Sequence, residues 1–287
     1  LDQIMSARSA CGLFFGKIML RVFITGASSG IGAALARRYA AEDACVALVG
    51  RRLPELQSVM ASLRNPSQHR AYALDVNDHA ALKAAANDFM EVYDGIDIVI
   101  ANAGISYGTL TEHVEDLAMF EQIIATNVCA TVATFAPFIT AMKQQRDSRP
   151  PRHPMRLVGI ASVAGIRGLP GAGAYSASKA AVISYCESLR VELRNTGIKV
   201  VTIAPGYIDT PMTNINEYKM PFLMPVDRFA ECAVEVIARG RSYCVIPWQM
   251  GIVAKILRLI PNQVYDWIFV RAPHKTRLPV PVVKPPQ

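Results

Sequence analysis

Four residues in this chain are of the types that move a proton or hold the oxygen that receives it. Tyr175 and Lys179 stand four apart in a segment that reads as a helix, so they share one face, a turn apart. A free tyrosine titrates near pH ~10, and a nearby ammonium favours the phenolate, which brings the phenol toward use as an acid or base. Ser162 follows the apolar run 157–161 at what reads as a strand tip. From there its hydroxyl can hydrogen-bond a carbonyl or alcohol oxygen held between it and Tyr175. Asn127 lies in a mostly apolar helical stretch, between Thr126 and Val128, where propensity disfavours it. It is either a solvent-facing residue or a side chain or local kink that holds water near Lys179. A Tyr and a Lys four apart also make an ordinary amphipathic pair, so the case rests on what the remaining elements place around them.

Residues 22–25 read as a short β-branched strand, followed by Gly26-Ala-Ser-Ser-Gly30-Ile-Gly32 and a helix over 33–41. Glycines between a buried strand and a helix allow a tight turn and close approach of backbone to a pyrophosphate, with N–H groups and a positive dipole end beyond. The glycine spacing is three residues and then one, not the common G-x-G-x-x-G. A second strand, 44–49, ends in Gly50-Arg51-Arg52. Many dinucleotide folds carry an acid there for the ribose 2′-hydroxyl; two guanidiniums suit a 2′-phosphate instead, hence NADP(H) over NAD(H), unless they only solvate a helix start. Strands at 71–74 and 96–100 end in Asp75-Val76 and in Asn102-Ala103-Gly104, a small-residue turn past which a cofactor ribose would fit. Strand 199–203 leads to Pro205-Gly206, and 243–246 is the last strand. Helices are expected over 80–93, 115–140, 175–195 and 225–239. This alternation predicts one α/β domain over 19–247, a Rossmann-type doubly wound parallel sheet in three αβα layers. Ligands then bind at the carboxyl ends of its strands, where the glycine turn, Asp75, Asn102, Ser162 and Pro205 all fall.

In their order along the chain, Thr25-Gly-Ala-Ser-Ser-Gly-Ile-Gly32, Asp75-Val76, Asn102-Ala-Gly104, Asn127, Ser162, Tyr175-x-x-x-Lys179 and Pro205-Gly206 resemble the short-chain dehydrogenase/reductase family, in its short single-domain branch. The resemblance implies a catalytic tetrad of Asn127, Ser162, Tyr175 and Lys179. Tyr175 would be the general acid/base and Ser162 would position the substrate oxygen. Lys179 would hold the nicotinamide ribose and lower the Tyr175 pKa, and Asn127 would hold a relay water. It implies cofactor phosphates along Gly26, Ser28 and Ile31, a 2′-phosphate on Arg51, adenine at Asp75, ribose at Asn102, and nicotinamide at Ile208 and Thr210. Ser29, Gly30, Gly32, Val76, Ala103, Gly104, Pro205 and Gly206 complete the implied cofactor contacts, with Tyr175 and Lys179. The implied activity is hydride transfer between a nicotinamide and a small-molecule carbonyl or secondary alcohol, in a homodimer or homotetramer. A dinucleotide-sensing binding protein without turnover is the alternative, but a sensor has no need of an intact Ser162, Tyr175 and Lys179.

A 287-residue chain with 52% hydrophobic and 18% charged residues carries ample material for a large core. Six scattered cysteines (11, 45, 129, 186, 232 and 244) lack metal-ligand spacing, so no metal is expected. They read as small buried hydrophobes in a reducing, cytoplasmic compartment. No run of 18 uncharged apolar residues is present, and no transmembrane helix is expected. Residues 1–18 read as an upstream segment with Met19 as a natural start, or as a short membrane-facing arm. Residues 211–225 are expected to form a substrate lid, with Met212, Met220, Phe222, Leu223 and Met224 either lining an apolar, adaptable pocket or packing on the core. The first option points to an apolar or lipid-like substrate.

The charge is segregated. Residues 239–287 hold eight Lys/Arg against the single acid Asp266, a net +7 that equals that of the whole chain. Basic residues confined to a tail do not make a nucleic-acid groove, and no nucleic-acid partner is expected. Within the tail, 248–287, helices are expected over 251–260 and 262–270. Ile252, Val253, Ile256, Leu257 and Ile260 fall on one side of the first, Lys255 and Arg258 on another. Such a tail suits peripheral contact with an anionic membrane through 249–287, or packing against the domain or a second subunit.

Overall fold

The computed structural model describes residues 19–148, 153–216, 220–270 and 277. The expectations for 1–18, for 217–219 of the lid and for the tail beyond 270, Arg277 excepted, lie outside the described residues. In chain order the elements are β1 (Arg21–Thr25), α1 (Gly30–Ala41), β2 (Cys45–Gly50), α2 (Leu53–Ala61), β3 (Arg70–Ala73), α3 (His79–Tyr93) and β4 (Ile98–Ala101). Then come α4 (Asp116–Ile124), a π turn (Ala125–Cys129), α5 (Ala130–Ser148), β5 (Arg156–Ile160), α6 (Gly173–Glu192) and β6 (Lys199–Pro205). The chain continues through β7 (Ile208–Asp209), β8 (Met224–Pro225), α7 (Val226–Arg239), β9 (Tyr243–Ile246), α8 (Trp248–Leu259) and α9 (Asn262–Phe269).

Seven strands form one parallel sheet in the order β3-β2-β1-β4-β5-β6-β9, and β7 pairs with β8 apart from it. The order reverses between β1 and β4, which open a crevice at their carboxyl ends. Central strands of such a sheet are covered on both faces, and β2, β4 and β5 are buried at every position. On one face Leu35 and Tyr39 of α1 meet Phe229 and Ile237 of α7; on the other, Phe89, Phe135, Phe138 and Leu189 pack from α3, α5 and α6. The sheet and its two helical layers are those expected. α2 was read only as a helix start, and α1 begins at Gly30 rather than 33, because Gly32 lets the helix close directly on the turn.

Two arginines invisible to pattern reading fasten the sheet. Arg21 holds the fully buried Asp97 through its backbone N–H (2.9 Å), Nε (2.9 Å) and Nη2 (2.8 Å). Arg156, 8% exposed, donates to the carbonyls of Ile237 (3.0 Å), Ala238 (3.2 Å) and Met155 (3.1 Å), capping the carboxyl end of α7 with a buried cation. Arg156→Ala should therefore cost about 2–4 kcal/mol, read as a drop in denaturation midpoint; an unchanged midpoint would remove Arg156 from the stabilising contacts.

Asp116–Arg146 is a described helical run long and apolar enough to cross a membrane by length and composition alone. Its mean is apolar despite interspersed Asn and Thr, and its buried side carries Thr134, Phe135, Phe138 and Met142 into the core. Cys45 and Cys186 are buried as expected, but Cys129 is exposed, because it faces outward from the π turn.

Candidate active site

The crevice at the strand ends is a cavity of about 390 Å³. Its floor is the turn after β1. Gly26 has φ +68°, and a Cβ there would lie 2.8 Å from Ala103 Cα; a Cβ on Gly32 would lie 2.3 Å from the Gly26 carbonyl oxygen. Only glycine permits that approach of helix to turn. Ser29, the N-cap of α1, makes no side-chain capping bond, so the first-turn N–H groups stay open to an anion. Thr25 stitches this turn to the next strand end: its Oγ1 accepts from the N–H groups of Asn102 (3.1 Å) and Ala103 (3.2 Å). The Asn102 side chain in turn donates to the carbonyls of Thr25 (3.0 Å) and Gly26 (3.1 Å). Asn102 thus shapes the turn with its amide, a role its position alone does not show.

Along the wall, Arg51 and Arg52 differ. Arg52 is paired with Glu55 (3.2 Å) and donates to Ser28 Oγ (3.4 Å), whereas Arg51 has no ion pair or hydrogen bond to another described residue. Asp75 Oδ1 accepts from the backbone N–H (2.9 Å) and side-chain amide (3.0 Å) of Asn77, which also reaches Thr126 Oγ1 (3.1 Å). Asn77 and Thr126 line the cavity and were not anticipated; an Asn two residues beyond a strand-end Asp was the available signal.

The reactive groups meet at the far end. Ser162 and Tyr175 are joined by a side-chain hydrogen bond. Burial pushes the Tyr175 phenol above its ordinary value, and the Ser162 bond only partly opposes this. The expected lowering by Lys179 is corrected here. Lys179 Nζ lies 5.7 Å from the phenol ring centre and donates to the Ile160 carbonyl (2.9 Å), so burial dominates at the phenol. Burial also pulls Lys179 down to about 8, opposed weakly by Cys186.

Asn127 does not line the cavity. It stands behind Gly104 in the π turn, its Oδ1 accepting from the Ile105 N–H (2.8 Å) and its Nδ2 donating to the Ile105 carbonyl (3.0 Å) and Ser178 Oγ (2.9 Å). Ser178 Oγ donates to the Tyr175 carbonyl (2.8 Å), so Asn127 ties the β4 loop to the turn of helix that carries Tyr175. A Cβ on Gly104 would sit 3.1 Å from Asn127 Oδ1 and 3.5 Å from Lys179 Nζ.

Apart from Gly32 and Asn127, every residue singled out from the sequence for catalysis or cofactor binding lines this one cavity. Gly26, Ser28, Ser29, Gly30 and Ile31 form its floor, Arg51, Asp75, Val76, Asn102, Ala103 and Gly104 one wall, and Ser162, Tyr175, Lys179, Pro205, Gly206, Ile208 and Thr210 the other. The lid departs from expectation. Of its five apolar residues only Met212 lines the cavity; Met224 packs on the core in β8, and Phe222 and Leu223 are exposed. Among the described residues no cluster could hold a metal ion.

Known proteins agree with this architecture. Residues 20–220 match the short chain dehydrogenase family model. An uncharacterized oxidoreductase of Myxococcus xanthus is 36% identical over 248 residues, 85% of this chain and 93% of its own length. The crystal structure of a 3-ketoacyl-(acyl-carrier-protein) reductase from Brucella melitensis complexed with NADH superimposes with a TM-score of 0.72 at 25% identity, covering 79% of this chain and 96% of that one. A variant of actinorhodin polyketide ketoreductase with NADPH gives 0.71 at 25% identity, covering 81% and 97%. A sheet with these crossovers, a glycine turn closed on its helix, and matches of this extent establish that the chain belongs to the short-chain dehydrogenase family of oxidoreductases.

Proposed function

We propose that the protein is a cytoplasmic NADP(H)-dependent oxidoreductase that interconverts an apolar carbonyl compound and its secondary alcohol, with Tyr175 as the general acid/base. The observation that carries this reading is the Ser162–Tyr175 hydrogen bond at the end of a cleft that also holds the buried Lys179. The glycine cradle and open first turn of α1 fit a dinucleotide pyrophosphate, and Arg51 fits a 2′-phosphate. When bound, the nicotinamide supplies or accepts the hydride.

The protein's own part is positioning and proton transfer. Ser162 Oγ and the Tyr175 phenol converge on one substrate oxygen. Burial favours the protonated phenol, so Tyr175 is set to donate its proton to an oxygen that gains negative charge, as in reduction. Lys179, as an ammonium, would hold the ribose of a bound dinucleotide, Asn127 fixes the loop beside it, and Met212 presents an apolar wall. The test is a turnover screen with medium-chain aldehydes, aliphatic ketones and sterols, and the matching alcohols, in both directions; NADPH binding without turnover on any of them would favour a sensor.

Lys179 gives this reading a pH signature. Its ammonium is intact below about 8, so kcat/KM for reduction should be level there and fall as pH rises through that value, by about tenfold per unit well above it. The Tyr175 phenol, raised by burial, does not add a fall below that limb. A flat profile through roughly pH 7 to 9 would exclude Lys179 as the titrating group.

Two finer features belong to the same proposal. One is a homodimer or homotetramer through α4–α5, where Leu117, Phe120 and Val132 are exposed and no charged residue occurs from 122 to 142. The other is peripheral contact of 249–287 with an anionic membrane.

A further inference from the structure

α8 has two unlike sides. Met250 and Ala254 are buried against the domain, while Trp248, Ile252, Ile256 and Leu259, at spacings of four, four and three, share the opposite side and are exposed, Leu259 by 82%. α9 repeats the division: Tyr265 is buried, and Ile268 and Trp267 are exposed, Trp267 by 80%. Single exposed apolar residues are ordinary; a helix pair with this many on one segment marks an interaction surface. Lys255 borders the α8 stripe, being three residues beyond Ile252 and one before Ile256, and Arg258 donates to the Ile166 carbonyl (3.2 Å) beside it; Arg239 is paired with Glu235, and Arg277 with Glu115 and Asp116.

The face is fixed to the catalytic cleft. Arg167, in the loop that leads from Ser162 to Tyr175, donates to the carbonyls of Leu257 and Ile260 (2.8 Å) and to Asn262 Oδ1 (3.0 Å), and its guanidinium lies 3.9 Å over the Tyr265 ring. The Tyr265 hydroxyl donates to the Gly168 carbonyl. Met250 packs so closely on Gly206, a cavity residue, that a Cβ there would lie 2.7 Å from Met250 Cγ. The lid leaves and returns at the same place, the Met224 N–H donating to the Tyr207 carbonyl (3.0 Å), and it exposes Phe222 and Leu223.

We propose that the exposed face of α8 and α9 is an interfacial anchor that seats the mouth of the catalytic cleft on an anionic lipid surface. The inference rests on the membrane reading of 249–287 and names the face that makes the contact. Charge decides the occupant. A second copy docked face to face would bring together the Lys255 and Arg258 cations of both copies with only Asp266 on each to offset them, whereas an anionic bilayer accepts both the cations and the interfacial tryptophans.

The test is flotation of the full chain with phosphatidylcholine vesicles, with and without phosphatidylserine (about 7:3), beside an Ile256→Glu/Trp267→Glu variant. The wild type should float with the anionic vesicles only, at least tenfold less as salt rises from about 0.1 to 0.5 M, with its tryptophan emission quenched by brominated lipid. The variant should lose at least tenfold in partition while binding NADPH normally. A full chain that stays unbound overturns the anchor and the membrane reading together. A variant that floats like wild type, or a wild type that floats with unquenched tryptophan, overturns this face alone. A variant that instead falls to monomers makes the face a subunit contact and also overturns the anchor. NADPH binding is read separately, so failure of the catalytic assignment does not alter these results.

Discussion

Tyr175→Phe is expected to lower kcat by about 10²–10⁴-fold, the range that a positioned proton donor contributes, while NADPH affinity stays within about threefold. The phenyl ring keeps the buried volume, and only the hydroxyl and its bond to Ser162 are lost. Ser162 Oγ is not orphaned, since it still accepts from the Ala164 N–H (3.1 Å), so the strand tip should hold its shape. The measurement is kcat and cofactor Kd on one preparation. Near-normal turnover would remove Tyr175 as the acid/base, and an equal loss of cofactor affinity would make its role structural.

Arg51→Asp should reverse cofactor choice. Hydrogen bonds to a charged partner contribute about 1.5–3 kcal/mol, and the new carboxylate adds repulsion. NADPH should therefore weaken by about 10²-fold relative to NADH. Arg52 is a poor substitute, because Glu55 and Ser28 already engage it. An unchanged ratio of kcat/KM for the two cofactors would place the 2′-phosphate elsewhere, or exclude it.

The parts of this protein that could be read in advance were those where chemistry and local pattern coincide. β2, β4 and β5 are short apolar runs because both their faces are covered, and turn residues bound each of them. The strand-end residues converge because a doubly wound sheet puts all such ends on one side. What stayed hidden were contacts made across the sequence. Arg156 caps a helix 81 residues away, and Arg167 clasps one 90 residues away. No periodicity encodes either. The spacing of Tyr175 and Lys179 showed a cation one turn from a phenol, but not that the Ile160 carbonyl would draw the ammonium aside. Asn127 was conspicuous as a polar residue in an apolar helix, but its partners lie on another strand end. The lid's methionines and aromatics looked like pocket lining because composition does not reveal which way a loop faces.

The π turn at Ala125–Cys129 has a consequence for helical phase. The Ala130 N–H reaches back five residues to the Ala125 carbonyl, and Thr131 Oγ1 donates to the Asn127 carbonyl (2.8 Å) within the widened turn. One residue more than an α-helix needs is accommodated there, so α4 is rotated about 100° relative to the phase of α5. Deleting a single residue from this turn would restore regular geometry and swing the amino-terminal half of the helix by that angle. Leu117 and Phe120 would then leave the outer line they share with Val132, and Asn127 would turn away from Ile105. One surplus residue thus sets the alignment of the outer face and the support of the cleft at once.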